Sequence, residues 1–365
     1  MNKKKLILFM PSIEGGGVEK NFFIITNFLS KKIKNVSVIT TFKNNRKKFH
    51  RNVNLIIPQY EFWERCTRRI KYFICLFLLL REIICDRNLL VFAFQANIYC
   101  IIICKLFGIS IITRSNTAPD GWSNNKIKKL LYKFFLKKAD KVVVNSYEFK
   151  KKMKNFFNIN SECIYNPLNK SEIIKLSKKK TSKVFSKNRK LKIISIGRIV
   201  DQKDHITLLK ALNIIRNKID FEAIILGRGV LKNSLIDYIS KNRLNKNVKL
   251  INFQTNPYKF LKQSEIFILT SKFEGLPNVL LESIILNKFI ISSDCATGPR
   301  EILLNGKGGL LFKVGNFQDL AKKIIFYSKN KKKCKKMLDK SIKSINRFDY
   351  NKNLEKYFKL INYFL

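Results

Sequence analysis

Histidine is nearly absent from this chain of 365 residues, which has only His50 and His205. A mechanism or metal centre built on several imidazoles is thereby excluded. The eight cysteines, at positions 66, 75, 85, 100, 104, 163, 295 and 334, form no Cys-x-x-Cys pair. A zinc site would need four sulfurs drawn from scattered apolar segments, so no metal is expected, and buried thiols in a reducing cytoplasm are the default. Long apolar runs are also missing. Leu6–Met10 stops at Pro11, too short for a signal-peptide core followed by a cleavage site. Tyr72–Leu80 lies between Lys71 and Arg81 and falls short of the roughly 20 apolar residues that cross a bilayer. Ile98–Thr113 is divided by Lys105 and Gly108. The expectation is a cytoplasmic chain, with the inner face of the cytoplasmic membrane as its one membrane option.

Acidic residues are scarce as well: 25 Asp and Glu face 73 Lys and Arg, a formal net charge of +48. Clustered cations gain free energy by releasing counterions from polyanions, which brings nucleic acid and anionic membranes into view. The lysines, however, are spread along most of the chain, and with Asn and Ile also abundant they fit a coding bias as well as a selected basicity. No zinc-finger, homeodomain or RNP-type pattern is present, so nucleic acid is not an expected partner.

Short apolar runs alternate with longer amphipathic segments, the signature of parallel strands joined by crossover helices. Strands are predicted at Leu6–Met10, Val36–Thr41, Val53–Ile57, Leu89–Phe94, Ile109–Thr113, Val142–Val144 and Cys163–Tyr165, then at Lys192–Ile196, Phe221–Leu226, Val248–Ile251, Ile266–Leu269 and Phe289–Ser292. Between Asn169 and Arg189 apolar density falls and Lys, Ser and Thr dominate. This predicts a first domain over 1–168, a linker over 169–189 and a second domain over 190–348. Both domains are expected to be α/β and doubly wound, each with a ligand crevice at the C-terminal ends of its strands and the two crevices facing one another.

Several motifs fall at such strand ends. In Glu274-Gly-Leu-Pro-Asn-Val-Leu-Leu-Glu282 two carboxylates straddle the predicted start of a helix, with Pro277 placed at its first position. Carboxylates accept from paired hydroxyls, and the first-turn amides around Asn278 to Leu280 suit phosphate oxygens. Two such glutamates alone equally describe an acidic loop before an amphipathic helix. Gly197-Arg198 with Lys203-Asp204 puts a guanidinium fork and a mobile ammonium where a diphosphate would be clamped; in so basic a chain the pair alone also fits surface charge. Gly227-Arg-Gly229 either lets a nucleotide approach the main chain or simply turns it. Ser12-Ile-Glu-Gly-Gly-Gly-Val-Glu19 is a glycine run without the G-x-x-x-x-G-K-[ST] phosphate-loop form, and Ser293-Asp-Cys-Ala-Thr-Gly298-Pro-Arg-Glu301 is a small-residue loop on the same edge.

Taken together and in their order along the chain, Gly15-Gly-Gly-Val-Glu19, Gly197-Arg198 with Lys203-Asp204, the Glu274–Glu282 motif and Thr297-Gly-Pro-Arg-Glu-Ile302 resemble the retaining family 4 glycosyltransferases of GT-B fold. The resemblance covers nearly the whole chain and is strongest from Ile193 to Phe312. It implies two Rossmann-like domains, with donor bound in the second, acceptor mostly in the first, and a C-terminal segment over 349–365 crossing back onto the first. It further implies that Arg198 and Lys203 bind the donor diphosphate, that Glu282 binds the ribose and that Glu274 holds the transferred sugar. Gly16, Gly17, Gly227, Gly275, Leu276, Asn278 and Val279 would complete the donor site. The co-substrate would be a nucleotide sugar, UDP-linked, with no cofactor; since no Asp-x-Asp occurs, the metal-dependent route of the other main glycosyltransferase fold is disfavoured.

Family members often place a histidine on an N-domain loop near the sugar, whereas Thr113-Arg-Ser-Asn-Thr117 has none. Arg114, Ser115 and Asn116 are the substitutes to consider on the acceptor side. The acceptor itself is expected to be a saccharide or a lipid-linked saccharide. The segment Phe62–Phe73 would rest on anionic headgroups by burying Trp63 and Phe73 while presenting Arg65, Arg68, Arg69 and Lys71, or else pack as an ordinary helix with a basic face. The alternatives to a transferase are a non-catalytic GT-B scaffold and a protein that binds membranes or polyanions through charge alone.

Overall fold

The computed structural model describes residues 4–13, 15–116, 126–186 and 189–365. Met1–Lys3 of the predicted first domain, Glu14 of the glycine loop, Thr117 and positions 187 and 188 of the predicted linker lie outside these. The chain forms two compact units, Met1–Pro167 with Tyr350–Leu365, and Leu168–Asp349. Along the first run β1 (Lys5–Phe9), α1 (Gly17–Lys32), β2 (Val36–Ile39), β3 (Val53–Ile56), α2 (Arg68–Cys85), β4 (Leu89–Ala93), α3 (Asn97–Leu106), β5 (Ser110–Ser115), α4 (Lys126–Leu136), β6 (Lys141–Val144), α5 (Tyr147–Phe157) and β7 (Glu162–Cys163) follow one another. The second unit has α6 (Lys170–Ser177), β8 (Leu191–Ile196), α7 (His205–Ile215), β9 (Phe221–Leu226), α8 (Lys232–Lys241), β10 (Val248–Ile251), α9 (Tyr258–Leu261), β11 (Ile266–Leu269), α10 (Asn278–Ile285), β12 (Phe289–Ser293), α11 (Pro299–Ile302), β13 (Leu310–Phe312), α12 (Phe317–Lys329) and α13 (Lys331–Ser344). The chain then returns to the first unit as α14 (Tyr350–Phe364).

The first sheet runs β3-β2-β1-β4-β5-β6-β7 and the second β10-β9-β8-β11-β12-β13, parallel throughout. Strands covered by helices on both faces lose the alternation of a half-exposed strand. This is why β4 and β11 are buried at every position and read in the sequence as continuous apolar runs. In each sheet the order reverses once, between β1 and β4 and between β8 and β11. Ligands of open α/β sheets bind outside the strand ends at that reversal.

Three expectations change. Residues 169–189 are not simply a linker: they open with α6, which buries Ile173 and packs on α9 and α10. Its few apolar side chains are masked in the sequence by the lysines that follow. The edge strand β13 escapes the pattern because it is three residues long and follows Gly308-Gly309. Finally, β5 runs two residues further than its apolar core, so Arg114 and Ser115 pair with Val143 and Val144 of β6.

That extension governs the first unit. Arg114 is only 1% exposed. Its Nε donates to Tyr357 Oη at 2.9 Å, its Nη2 donates to Asn166 Oδ1 at 2.5 Å and its Nη1 to Asn116 Oδ1, with the Phe94 ring 5.6 Å away. A buried guanidinium is tolerated when its donors are satisfied. Here one donor holds α14, whose Leu354, Tyr357 and Ile361 join Phe22, Ile25 and Leu29 of α1 in one core. Tyr357→Phe should leave a charged donor unmatched and lower stability by about 1–3 kcal/mol, read as a reduced urea midpoint; an unchanged midpoint would show that Arg114 does not need this partner.

Candidate active site in the second unit

The loop after β8 and the loop after β11 leave the second sheet at its order reversal, side by side. Gln202 joins them, its Nε2 donating to Phe273 O at 3.0 Å and its backbone carbonyl accepting from Lys272 N at 2.9 Å. Thr270 Oγ1 donates to Lys203 O at 2.8 Å. The consequence is that Lys203 Nζ is ion-paired with Glu274 Oε1, although the two are 71 residues apart in sequence. Both side chains are mostly buried. Arg198 is exposed on the same loop, with Nη2 3.3 Å from Gln202 Oε1.

Glycines make this approach geometrically feasible. A Cβ on Gly227 would lie 1.9 Å from Gly197 O, and one on Gly229 would lie 2.1 Å from Ile199 O. The end of β9 is thus pressed against the Gly197–Ile199 backbone, and Gly227 is required by the chain's own packing. Gly298, at φ +87°, does the same on the other side: its Cβ would meet Gly275 O at 2.1 Å. Thr297 Oγ1 donates to Glu274 O at 2.6 Å, so the loop after β12 locks the Glu274-Gly275-Leu276 turn.

Pro277 lies just before α10 with extended backbone, and Asn278 is the first helical residue. The sequence had placed Pro277 one position further in. Leu280 N already donates to Pro277 O at 3.1 Å, so the helix-opening amides are those of Asn278 and Val279. Glu282, one turn on, is buried and accepts at Oε1 from Tyr258 Oη at 2.8 Å. Tyr258 carries no motif that marks it; the contact spans 24 residues and arises only when α9 and α10 come together. The Thr297-Gly298 pair and Gln202 were likewise visible in the sequence only as loop residues.

Burial shapes the charges beneath the site. His205, the first residue of α7, lies 3.4 Å from Ser195 Oγ and is pushed down to about 4 by burial, with the Lys203 ammonium adding to the effect. The Cys295 thiol is pushed up to about 12 by burial and by the neighbouring Glu274 carboxylate. Burial also raises the Asp204 carboxyl, partly offset by the hydrogen bond from Thr207. Among the described residues no group of three or more His, Cys, Asp or Glu side chains is arranged to hold a metal ion.

The site residues expected on the first unit lie apart from this cluster in the chain and differ from their reading. Gly17 opens α1 and Gly16 caps it, but the Gly16 N–H donates to Glu19 Oε2 at 2.8 Å. A carboxylate therefore already sits at that helix end, which opposes phosphate there. Arg114 turns into the core, as described above, and is not displayed to an acceptor; Ser115 is buried with it, and Asn116 is half-buried, with Nδ2 donating to Phe94 O at 3.0 Å. Trp63 is half-buried in a short 3-10 turn, and Lys71, 7% exposed, lies 4.5 Å from the Phe42 ring rather than facing outward.

Residues 177–344 match the family model of glycosyl transferases group 1. The second unit carries a group 1 glycosyltransferase domain. Over 335 residues, 86% of this chain and 87% of the relative, the sequence is 29% identical to an N-acetylgalactosamine-N,N'-diacetylbacillosaminyl-diphospho-undecaprenol 4-alpha-N-acetylgalactosaminyltransferase of Campylobacter jejuni. It is 39% identical over 185 residues to an uncharacterized glycosyltransferase of Methanocaldococcus jannaschii, but that alignment spans only 49% of this chain and 46% of the relative. The structure of Anabaena HepE in complex with UDP-glucose superposes with a TM-score of 0.77 at 15% identity, covering 98% of this chain and 99% of that one. Two parallel α/β units with this neighbour make the fold GT-B.

A neutral buried His205 has a signed consequence. Its folded-state pKa lies below the ordinary 6.5, so its contribution to stability is complete above about pH 6.5 and is lost as pH falls through about 4, where the unfolded chain binds the extra proton. Thermal midpoints measured across that window should fall less steeply for His205→Gln than for wild type; parallel curves would remove His205 as the cause. Gly227→Ala should cost several degrees of melting temperature, since the clash is with backbone that cannot rotate away.

Proposed function

We propose that the chain is a retaining, metal-independent glycosyltransferase that moves a hexose or N-acetylhexosamine from a nucleotide sugar, UDP-linked, to a saccharide or lipid-linked acceptor in cell-surface polysaccharide or glycolipid synthesis. The observation that carries this is the convergence of Arg198, Lys203, Glu274 and the start of α10 on the order reversal of the second sheet. The group 1 domain supports the reaction class, the Campylobacter relative's name supports a lipid-linked acceptor, and the UDP-glucose bound by HepE supports the donor.

The chemistry follows from where charge develops. As the bond between the anomeric carbon and the diphosphate oxygen breaks, negative charge grows on the leaving diphosphate and positive charge on the sugar ring. Arg198, Lys203 and the Asn278 and Val279 amides are the groups that stabilise the first. Glu274 holds hydroxyls of the transferred sugar beside the second. Glu282, whose Oε1 accepts from Tyr258, binds the ribose hydroxyls. With cations supplied by side chains, the diphosphate needs no metal partner in this scheme.

A panel of nucleotide sugars, scored for release of free nucleotide with and without a chelator, tests the proposal. Slow release from one UDP-sugar, unaffected by chelator, is expected. Arg198→Ala and Glu282→Ala should each reduce it by about 10²-fold. Turnover with no donor would leave a non-catalytic GT-B scaffold as the better reading, and abolition by chelator would remove metal independence.

A further inference from the structure

A helix that flanks a sheet ordinarily hides an apolar stripe and turns a polar one to water. In the first unit α2 and α4 break that rule. Right-handed crossovers put α2, α3 and α4 on the face of the sheet opposite α1, and α3 packs against both α2 and α4. The inner side of α2 is satisfied in the usual way, by burial of Cys75, Leu78, Leu79 and Ile83. Its outer side is apolar too: Ile70, Phe73, Phe77 and Ile84 recur at steps of three, four and seven residues, and Phe73 is 76% exposed.

Helix α4 repeats the arrangement, with Leu130, Leu131 and Phe134 exposed on one side, Leu130 at 66%. Tyr99 and Leu106 of α3 are exposed between the two. The rim is cationic. Arg65, Arg68 and Arg69 are exposed at the start of α2 and Arg81 near its end, while Lys137 and Lys138 are exposed just beyond α4. No acidic residue occurs from Lys126 to Lys138. Lys138 Nζ lies 5.6 Å from the Phe134 ring, its stem running along apolar surface to a charged tip.

We propose that the outer face of α2, α3 and α4 is a docking surface for an anionic lipid leaflet, the rings and leucines entering the headgroup and acyl boundary while the flanking Arg and Lys meet lipid phosphates. Charge decides among occupants. A second copy would set two cationic rims against each other, and a nucleic acid offers nothing to the apolar ridge. An anionic leaflet matches both components. The surface overlaps the one expected at Phe62–Phe73, sharing Phe73, Arg65, Arg68 and Arg69, but Lys71 is buried and the apolar ridge runs on along α2 to Ile84 and over α3 and α4. It deepens the reading of a lipid-linked acceptor, but rests on exposure and charge in the first unit and not on the donor site.

The test is flotation of the full chain with phosphatidylcholine vesicles, with and without phosphatidylglycerol, alongside nucleotide release in vesicle-free solution. Wild type should float only with the anionic vesicles, and less so as salt rises. The pairs F73E/F77E and L130E/F134E should each weaken vesicle partitioning by about tenfold or more, with melting temperature and donor hydrolysis unchanged. Flotation with neither vesicle, or flotation by both variants equal to wild type, overturns the proposal. So would a wild-type dimer that both variants convert to monomer without any vesicle binding. Hydrolysis without flotation defeats the surface alone, and flotation without hydrolysis defeats the transferase reading alone.

Discussion

Contact of bare backbone with bare backbone is the constraint on which the second unit is organised. Gly227 and Gly229 lie on Gly197–Ile199, and Gly298 lies on Gly275, at separations that no side chain would permit. These two contacts fix the loops after β8 and β11, and with the loops fixed, Lys203 and Glu274 meet. An ammonium and a carboxylate that are mostly withdrawn from water are costly unless their geometry is held by something else. Here the holding is done by main chain, by Gln202 and by Thr270, so the pair does not have to stabilise its own arrangement.

The same division between holding and acting appears at Glu282. One of its oxygens is engaged by Tyr258 from a separate short helix, which sets the direction of the carboxylate from below. Neutral groups surround the charged ones: His205 is held uncharged by burial, and the Cys295 thiol is kept protonated beside Glu274. Neither of these two adds charge beside Arg198, Lys203 and Glu274.

The fold was legible in the sequence wherever burial on both faces of a sheet produced an uninterrupted apolar run, as in β4 and β11. It was illegible where length or context hid that signal. β13 offers three residues, and α6 carries its apolar side chains into a lysine-rich stretch. Strand ends mattered most for the site. Because polar Arg114 and Ser115 close β5, ending the strand at Thr113 turned two core residues into apparent loop residues with a free side chain. In the second unit the charged motif residues could be placed at strand ends from pattern alone. Tyr258 could not, since only tertiary packing brings it to Glu282. At Gly227 the lack of a side chain also serves the neighbouring strand end, a need that the sequence pattern did not show.

The first unit is assembled from both sides of the second, with α14 contributing Leu354, Tyr357 and Ile361 to a core otherwise complete by Pro167. Synthesis delivers these pieces in a fixed order. The guanidinium of Arg114 is made early, whereas its tyrosine partner emerges only after the whole second unit. Domains tend to fold as units as they leave the ribosome. A continuous second unit can therefore reach its final packing while the first still has an unmatched charge and an uncovered apolar groove beside α1. Closure of the first core therefore has to await α14, which follows the whole second unit in the chain.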